Sequence, residues 1–363
     1  MARPFAADRR LLTGLRLTAL GIASPADPSP AATARRLLAL QGQDYAGAVW
    51  SLGLRSGATA AEVEAAFAAG DLVRSWPFRS TLHIVAADDV GWMIALTGDR
   101  ELRAAATRHR ELGLDAADFA RAERAAREHL SGGRRLGRRE LLAAIAADGL
   151  DVSGQRGAHL LGRLAQSGVA VIAGKDTWVL LDEHVREPRR LDRDAALREL
   201  ARRYLLARGP ATDRDLAWWS GLTLRDVREG IAAVDDEFEK LEQDGVVYRM
   251  PPGLVEAASG VHALPGFDEY LLGYTDRGAQ LDGRPLTDVV PGGNGMFLPT
   301  IVADGRVVAT WKRTVRAGGV DVAVSPFGQL SAKVRRGAER ALERYAAHLG
   351  LPLRAVALAE RTG

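Results

Sequence analysis

The chain has 363 residues, 47% of them hydrophobic and 26% charged, with a formal net charge of only +3 and no cysteine. This composition argues against a disordered, collagen-like or membrane-spanning chain, and the missing cysteines exclude disulfide frameworks, thiol nucleophiles and thiolate zinc sites. Of 49 basic residues only Lys175, Lys240, Lys312 and Lys333 are lysine; the rest are arginine, which suits planar, bidentate phosphate recognition but is also favoured by a GC-rich coding sequence.

Residues 1–20 contain Arg9, Arg10 and Arg16 and no sustained apolar run, so no secretory signal is expected and the chain reads as cytoplasmic. Short helices are expected at 11–20 and 31–40, separated by Pro25, Pro28 and Pro30. Strands are expected at 49–54 and within 72–86, with a helix at 60–69 between them. The pattern then recurs. Helices at 117–130, 138–148 and 155–167 precede strands at 169–172 and 178–181, which flank a Gly174-Lys175-Asp176 turn. A third copy has helices at 194–208, 213–219 and 223–234, then strands at 238–243 and 246–250 joined at Asp244-Gly245. Three helices followed by a hairpin is the winged-helix pattern. Beyond residue 261 strands dominate, expected at 266–274, 297–302, 306–314 and 320–324, and an amphipathic helix closes the chain at 332–349. The expected fold is α+β: winged helices at 1–95, 96–184 and 185–258, then a small β domain with a C-terminal helix at 259–363.

Familiar catalytic signatures are missing. There is no HExxH, GxSxG or GxGxxG, and 168–176 fails as a P-loop because its spacing is one residue too long and Asp176 follows the lysine. No cofactor or metal site is expected. Three features remain. On the third helix of the second unit, Gln155, His159, Arg163 and Gln166 form one polar stripe, suited either to base edges and phosphates or to a solvated face. Arginines also crowd residues 100–139 and 186–193, as phosphate contacts require.

The second feature is Gln41-Gly42-Gln43-Asp44. Two carboxamides at i and i+2 diverge on a helix but share a face in an extended segment, and Gly42 favours the latter. Such a pair donates and accepts hydrogen bonds without a useful pKa, so it can position a nucleophile but not act as a strong base. Asp44 is either a proton acceptor or a cap. The third feature is Arg79-Ser80-Thr81-Leu82-His83, which as a strand sets Arg79, Thr81 and His83 on one face. His83 is either catalytic or base-contacting, or a hydrogen-bonded structural histidine.

Taken together, 37–50 (LLALQGQDYAGAVW), 74–92 (RSWPFRSTLHIVAADDVGW) and 264–277 (LPGFDEYLLGYTDR) resemble the winged-helix bacterial family that includes the AlkZ and YcaQ DNA glycosylases. The resemblance implies tandem winged helices around a DNA-sized channel, and removal of N-alkylated purines, including bulky adducts and interstrand crosslinks. Gln41 and Gln43 match the AlkZ-like Gln-x-Gln form, with Gly42 where the family has an aliphatic residue. Thr81 and His83 match the strand after the first winged helix. Asp268 and Tyr270 match the Pro-Gly-Phe-Asp segment, to which no role is assigned.

The implied chemistry is hydrolysis by a water held by Gln41 and Gln43. The partner is double-stranded DNA, alkylated or crosslinked, bound by a nucleoid-associated monomer. No lysine neighbours the motif in sequence, so no Schiff-base lyase activity is expected. The alternatives are a non-catalytic winged-helix DNA-binding protein or regulator, and a small-molecule module built on the β domain.

Overall fold

Three times along the chain, a helix, a short extended segment, two more helices and a β-hairpin follow one another. The computed structural model describes residues 9–23, 25, 27–257 and 259–359. Helix α1 (Arg9–Ala19) leads into the first unit, made of α2 (Pro30–Leu37), β1 (Ala39–Gln41), α3 (Tyr45–Ser56), α4 (Ala60–Ala69), β2 (Leu72–Phe78) and β3 (Thr81–Ala86). A long helix, α5 (Val90–Glu111), connects to the second: α6 (Ala116–Leu130), β4 (Leu136–Gly137), α7 (Arg138–Ala147), α8 (Arg156–Gln166), β5 (Ala170–Ile172) and β6 (Thr177–Leu180). After the single turn α9 (Leu181–His184), the third unit has α10 (Arg193–Arg208), α11 (Asp213–Ser220), α12 (Leu224–Ala232), β7 (Glu239–Gln243) and β8 (Val246–Met250). In every unit the residues after the first helix pair with the last hairpin strand: β1 with β3, β4 with β6, and Ala211 with Arg249 of β8.

Local chemistry sets the helix limits. Ser29 caps α2 with Pro30 as its first residue, Thr59 and Glu62 form a capping box on α4, and Gly57 stops α3 in the left-handed conformation. The hairpins of the first two units join into one six-stranded sheet, β1-β3-β2-β5-β6-β4, through antiparallel pairing of Arg74 with Ile172. The C-terminal region comprises β9 (Val261–Leu264), α13 (Glu269–Leu272), α14 (Gly278–Leu281), β10 (Thr300–Ala303), β11 (Arg306–Arg316), β12 (Gly319–Pro326), α15 (Ala332–His348) and β13 (Leu353–Leu358). Its sheet order is β13-β12-β11-β10-β9, with α15 as the crossover to the parallel strand β13.

Two main cores result. One joins the first unit, the third unit and the C-terminal sheet around Trp50, Tyr204, Trp219, Trp311 and Tyr345. The second belongs to the middle unit, around Leu130, Leu141, Leu160, Leu164 and Trp178. Among the described residues no helix is long and apolar enough to cross a membrane.

The mixed α+β class agrees with expectation, while several elements do not. The expected strand at 49–54 lies inside α3, whose residues from Gly47 to Arg55 are all buried, so no polar face marks a helical period. The expected helix at 31–40 ends at Leu37; Leu38 turns at φ 65° and the chain enters β1. The expected strand at 266–274 is instead a turn, with Phe267 at φ 60°, followed by α13. The boundary drawn between 95 and 96 falls within α5.

Candidate active site

The segment from Ala39 to Asp44 leaves the sheet and enters a helix within six residues. β1 runs antiparallel to β3 with Gln41 opposite His83, and the Gly42 N–H donates to Leu82 O at 2.7 Å. The Gly42/Leu82 pair is therefore the hydrogen-bonded one, which leaves Gln41 and His83 as a non-bonded pair whose side chains lie close together on one face. After Gly42 the chain bends at Gln43 and Asp44 into α3, and the two carboxamides meet across this short stretch: Gln41 Nε2 donates to Gln43 Oε1 at 2.6 Å. Gln41 is buried and Gln43 exposed. Their mutual bond occupies one donor and one acceptor, leaving the Gln41 carbonyl and the Gln43 amino group able to bind a third molecule.

Asp44 caps α3, accepting from Gly47 N–H at 3.1 Å, and pairs with Arg313 of β11 at 3.1 Å. Gly47 is required here, because a Cβ would lie 2.6 Å from Asp44 Oδ2 and 3.4 Å from Pro265 of the C-terminal region.

Arg313 is one of three arginines that hold the segment, each from a different element. Arg208 of α10 donates to Leu37 O and Ala39 O, while Glu269 accepts from it at 2.7 Å. Arg74 of β2 donates to Gly42 O at 2.7 Å and to Lys175 O at 2.6 Å in the β5–β6 turn, and lies over the Tyr45 ring. A Cβ on residue 42 would come 3.4 Å from Arg74 Nε and 3.3 Å from Ile84 N. The glycine thus spares the guanidinium and the strand backbone a tight contact. A lysine does reach this neighbourhood through space: the Lys175 backbone shares Arg74 with Gly42, although the two lie far apart in sequence.

His83 is buried, and its Nδ1–H donates to Thr81 O at 2.8 Å, since a carbonyl can only accept. Nε2 is then a lone-pair acceptor, buried without a partner. Burial, reinforced by the charge of Arg79, lowers its pKa to about 3, so the ring is neutral at physiological pH. Thr81 donates to Phe78 O and closes the hairpin. Arg79 does not continue the strand face expected for Arg79, Thr81 and His83. Arg79 and Ser80 form the two-residue turn, with φ 52° and 50°, the mirror-image geometry that suits the twist of a hairpin.

Of the stripe on α8, Gln166 donates to Ser80 Oγ in the first-unit hairpin turn at 3.4 Å, and the other three side chains engage neighbouring helices. Gln155 accepts from Arg108 of α5 at 2.8 Å, the His159 ring packs edge-on against His109 at 5.3 Å, and Arg163 lies over Phe119 of α6. None of them adjoins Gln41. Asp268, by contrast, has a structural place: it caps α13 and forms a two-bond pair with Arg55 of α3 at 2.9 and 3.0 Å, both side chains buried. Tyr270, wholly buried, donates to Gly305 O. Sequence reasoning missed Arg74, Arg208 and Arg313. For Arg74 a signal existed, a charged residue within an apolar strand; for the other two, 169 and 269 residues from their contacts, none did.

The profile of the family described as DNA glycosylase AlkZ-like matches residues 34–348. An interstrand DNA cross-link repair glycosylase from Streptomyces sahachiroi is 26% identical over 350 residues, covering 89% of this chain and 90% of that protein. The solved structure of the Streptomyces sahachiroi DNA glycosylase AlkZ matches with a TM-score of 0.80 at 23% identity, covering 98% of this chain and all of that one. The profile match spans most of the chain and includes both glutamines, the hairpin after them and the Arg55–Asp268 pair: this chain belongs to the AlkZ-like DNA glycosylase family.

Proposed function

We propose that this DNA glycosylase hydrolyses the N-glycosidic bond of N7-alkylated purines, using a water held between Gln41 and Gln43. The observation that carries the reading is the 2.6 Å bond between the two amides, which fixes both and leaves one acceptor and one donor to orient the same water. Alkylation at N7 makes the base cationic, so the bond from C1′ to the base breaks with its electron pair leaving on the base and needs no strong acid. The sugar gains oxocarbenium character and the held water attacks C1′, its proton passing to solvent through the hydrogen bonds that orient it. Positioning and preorganised dipoles then supply most of the acceleration. Asp44 serves as cap and ion-pair partner in this scheme, and neutral His83 borders the site as an acceptor.

We read the three helical units as winged helices, on the support of their repeated order and the short extended segment that pairs with each hairpin. The exposed arginines Arg134, Arg135, Arg138 and Arg139, around β4 and the start of α7, suit contacts to duplex phosphates. An adduct that cannot rotate out of the helix needs an open site in place of a snug flipping pocket. The damage class named for the Streptomyces relative, interstrand crosslinks, is therefore included in the proposal.

The test is incubation with duplex bearing N7-methylguanine or an interstrand crosslink, followed by hot alkali to cleave abasic sites. Strand breaks are expected for the wild type and not for a Gln41→Ala, Gln43→Ala double variant, with no borohydride-trapped adduct. Equal cleavage by both proteins, or none by the wild type, contradicts the reading.

A further inference from the structure

Where the first-unit hairpin meets the third unit, two arginines rest on one tryptophan without a carboxylate between them. Arg79 lies over the Trp218 ring of α11 at 4.6 Å, and Arg277, in the loop after α13, lies over the same ring at 4.8 Å and over Phe297 at 5.4 Å. Arg79 has no hydrogen-bond acceptor among the described residues, and its Nε is buried without a partner. Arg277 donates only to backbone carbonyls, Leu271 O and Thr275 O, and its Nη2 is likewise buried and unpartnered.

The carboxylates nearby are engaged by other groups. Glu269 accepts from Arg208 and Trp219, Asp215 from Thr275 and Thr212, and Glu101 from Ser80. Burial pushes Arg277 down to about 10; Asp215 offsets this in part and the charge of Arg79 adds to it. Two like charges held together and half-buried, offset only in part by Glu269 and Glu101 on one side and Asp215 and Asp276 on the other, are costly in the free protein. The turn carrying Arg79 adds strain, since neither Arg79 nor Ser80 is a residue that readily takes positive φ.

An anion offsets the charge that remains. Arg79, stacked on the indole, keeps Nη1 and Nη2 without an acceptor among the described residues, the edge that bidentate phosphate recognition uses, while Arg277, whose Nε and Nη1 are held by carbonyls, adds its positive charge from the same ring. The place is also apt: Arg79 is two residues from Thr81, whose carbonyl orients His83, the neighbour of Gln41. We propose that Arg79 and Arg277, arrayed on Trp218, form a subsite for one phosphodiester of the DNA strand carrying the damaged base. The inference rests on the reading of the chain as a DNA-acting enzyme and adds to it a specific backbone contact.

The experiment measures binding of an undamaged labelled duplex over a range of salt concentrations, with the wild type and an R79Q/R277Q variant. Loss of one phosphate contact is expected to reduce the slope of log affinity against log salt by about 0.9 and to weaken binding equally on undamaged and alkylated duplex. R79Q and R277Q alone shift the slope in the same direction, so the test survives if the double variant does not fold. R79K/R277K, which keeps the charge without the planar fork, keeps most of the slope.

An unchanged slope in any cooperatively melting glutamine variant overturns the site, whatever its stability. Stabilisation of the wild type by inorganic phosphate over chloride at equal ionic strength, without a slope change in the variants, assigns the pair to a free anion and overturns the DNA contact. Base release by the wild type is scored separately. Release with no slope change removes only the phosphate subsite; a slope change with no release removes only the glycosylase reading.

Discussion

At the scale of single residues, His83 gives a sharp expectation. Its pKa is about 3 in the folded protein against an ordinary value of 6.5, so below the higher value the unfolded chain binds a proton that the native one refuses. Stability from this residue is present above pH 6.5 and lost as pH falls towards 3, by about 1.4 kcal/mol per pH unit. Between pH 6.5 and 4.5 the loss is roughly 2–3 kcal/mol. His262, lowered to about 4 by burial and by Arg344, acts in the same direction. Urea midpoints at several pH values should therefore fall less steeply in acid for His83→Gln than for the wild type; parallel curves contradict the assignment. The catalytic consequence is that His83 adds no inflection near pH 6.5 to the rate. The glutamine pair itself was legible in the sequence, because spacing of i and i+2 with an intervening glycine points to an extended segment. Arg74 and Arg313 were not, since a chain reveals local period and not which distant guanidinium will reach a carbonyl or carboxylate.

At the scale of elements, α3 transmits the site to the rest of the protein. Its first turn is fixed by Asp44 and its last by Arg55, which is wholly buried on Asp268 at the start of α13. Removing one member of such a pair leaves a buried charge without a partner, which typically costs about 3–5 kcal/mol. Asp268→Ala should lower the denaturation midpoint accordingly, and a double change to apolar residues, Arg55→Met with Asp268→Leu, should recover most of the loss. A mild effect of Asp268→Ala alone contradicts a clamping role. The same helix marks a limit of pattern reading: buried on every side, it has no amphipathic stripe, and its Val49 to Leu54 run resembles a strand as much as a helix. The helices and hairpins of the second and third units were legible because each keeps one polar face and a Gly-containing turn. The Pro265 to Tyr270 stretch was not, since its positive φ at Phe267 breaks a run that otherwise reads as extended.

At the scale of the whole molecule, arginine does two kinds of work. Exposed arginines around α7 suit a polyanion, while Arg74, Arg208 and Arg313, from the first hairpin, the third unit and the C-terminal sheet, converge on the stretch from Leu37 to Asp44 through its backbone carbonyls and the Asp44 side chain. A charge as strongly hydrated as lysine's is ill suited to such buried forks, which gives the near absence of lysine a structural reading beside the nucleic-acid one. The large core common to these parts means that the site is assembled by most of the chain, and that the glutamines are held as one unit. If both amides hold one water, their contributions cannot be independent. The most direct measurement is the single-turnover rate of N7-methylguanine release for the wild type, Gln41→Ala, Gln43→Ala and the double variant, each checked for an unchanged melting transition. Each single change is expected to slow release by about 100-fold, the scale of a misplaced reactant, with the double variant no slower than the worse single. Losses that multiply, or single variants as fast as the wild type, contradict a water shared by the pair.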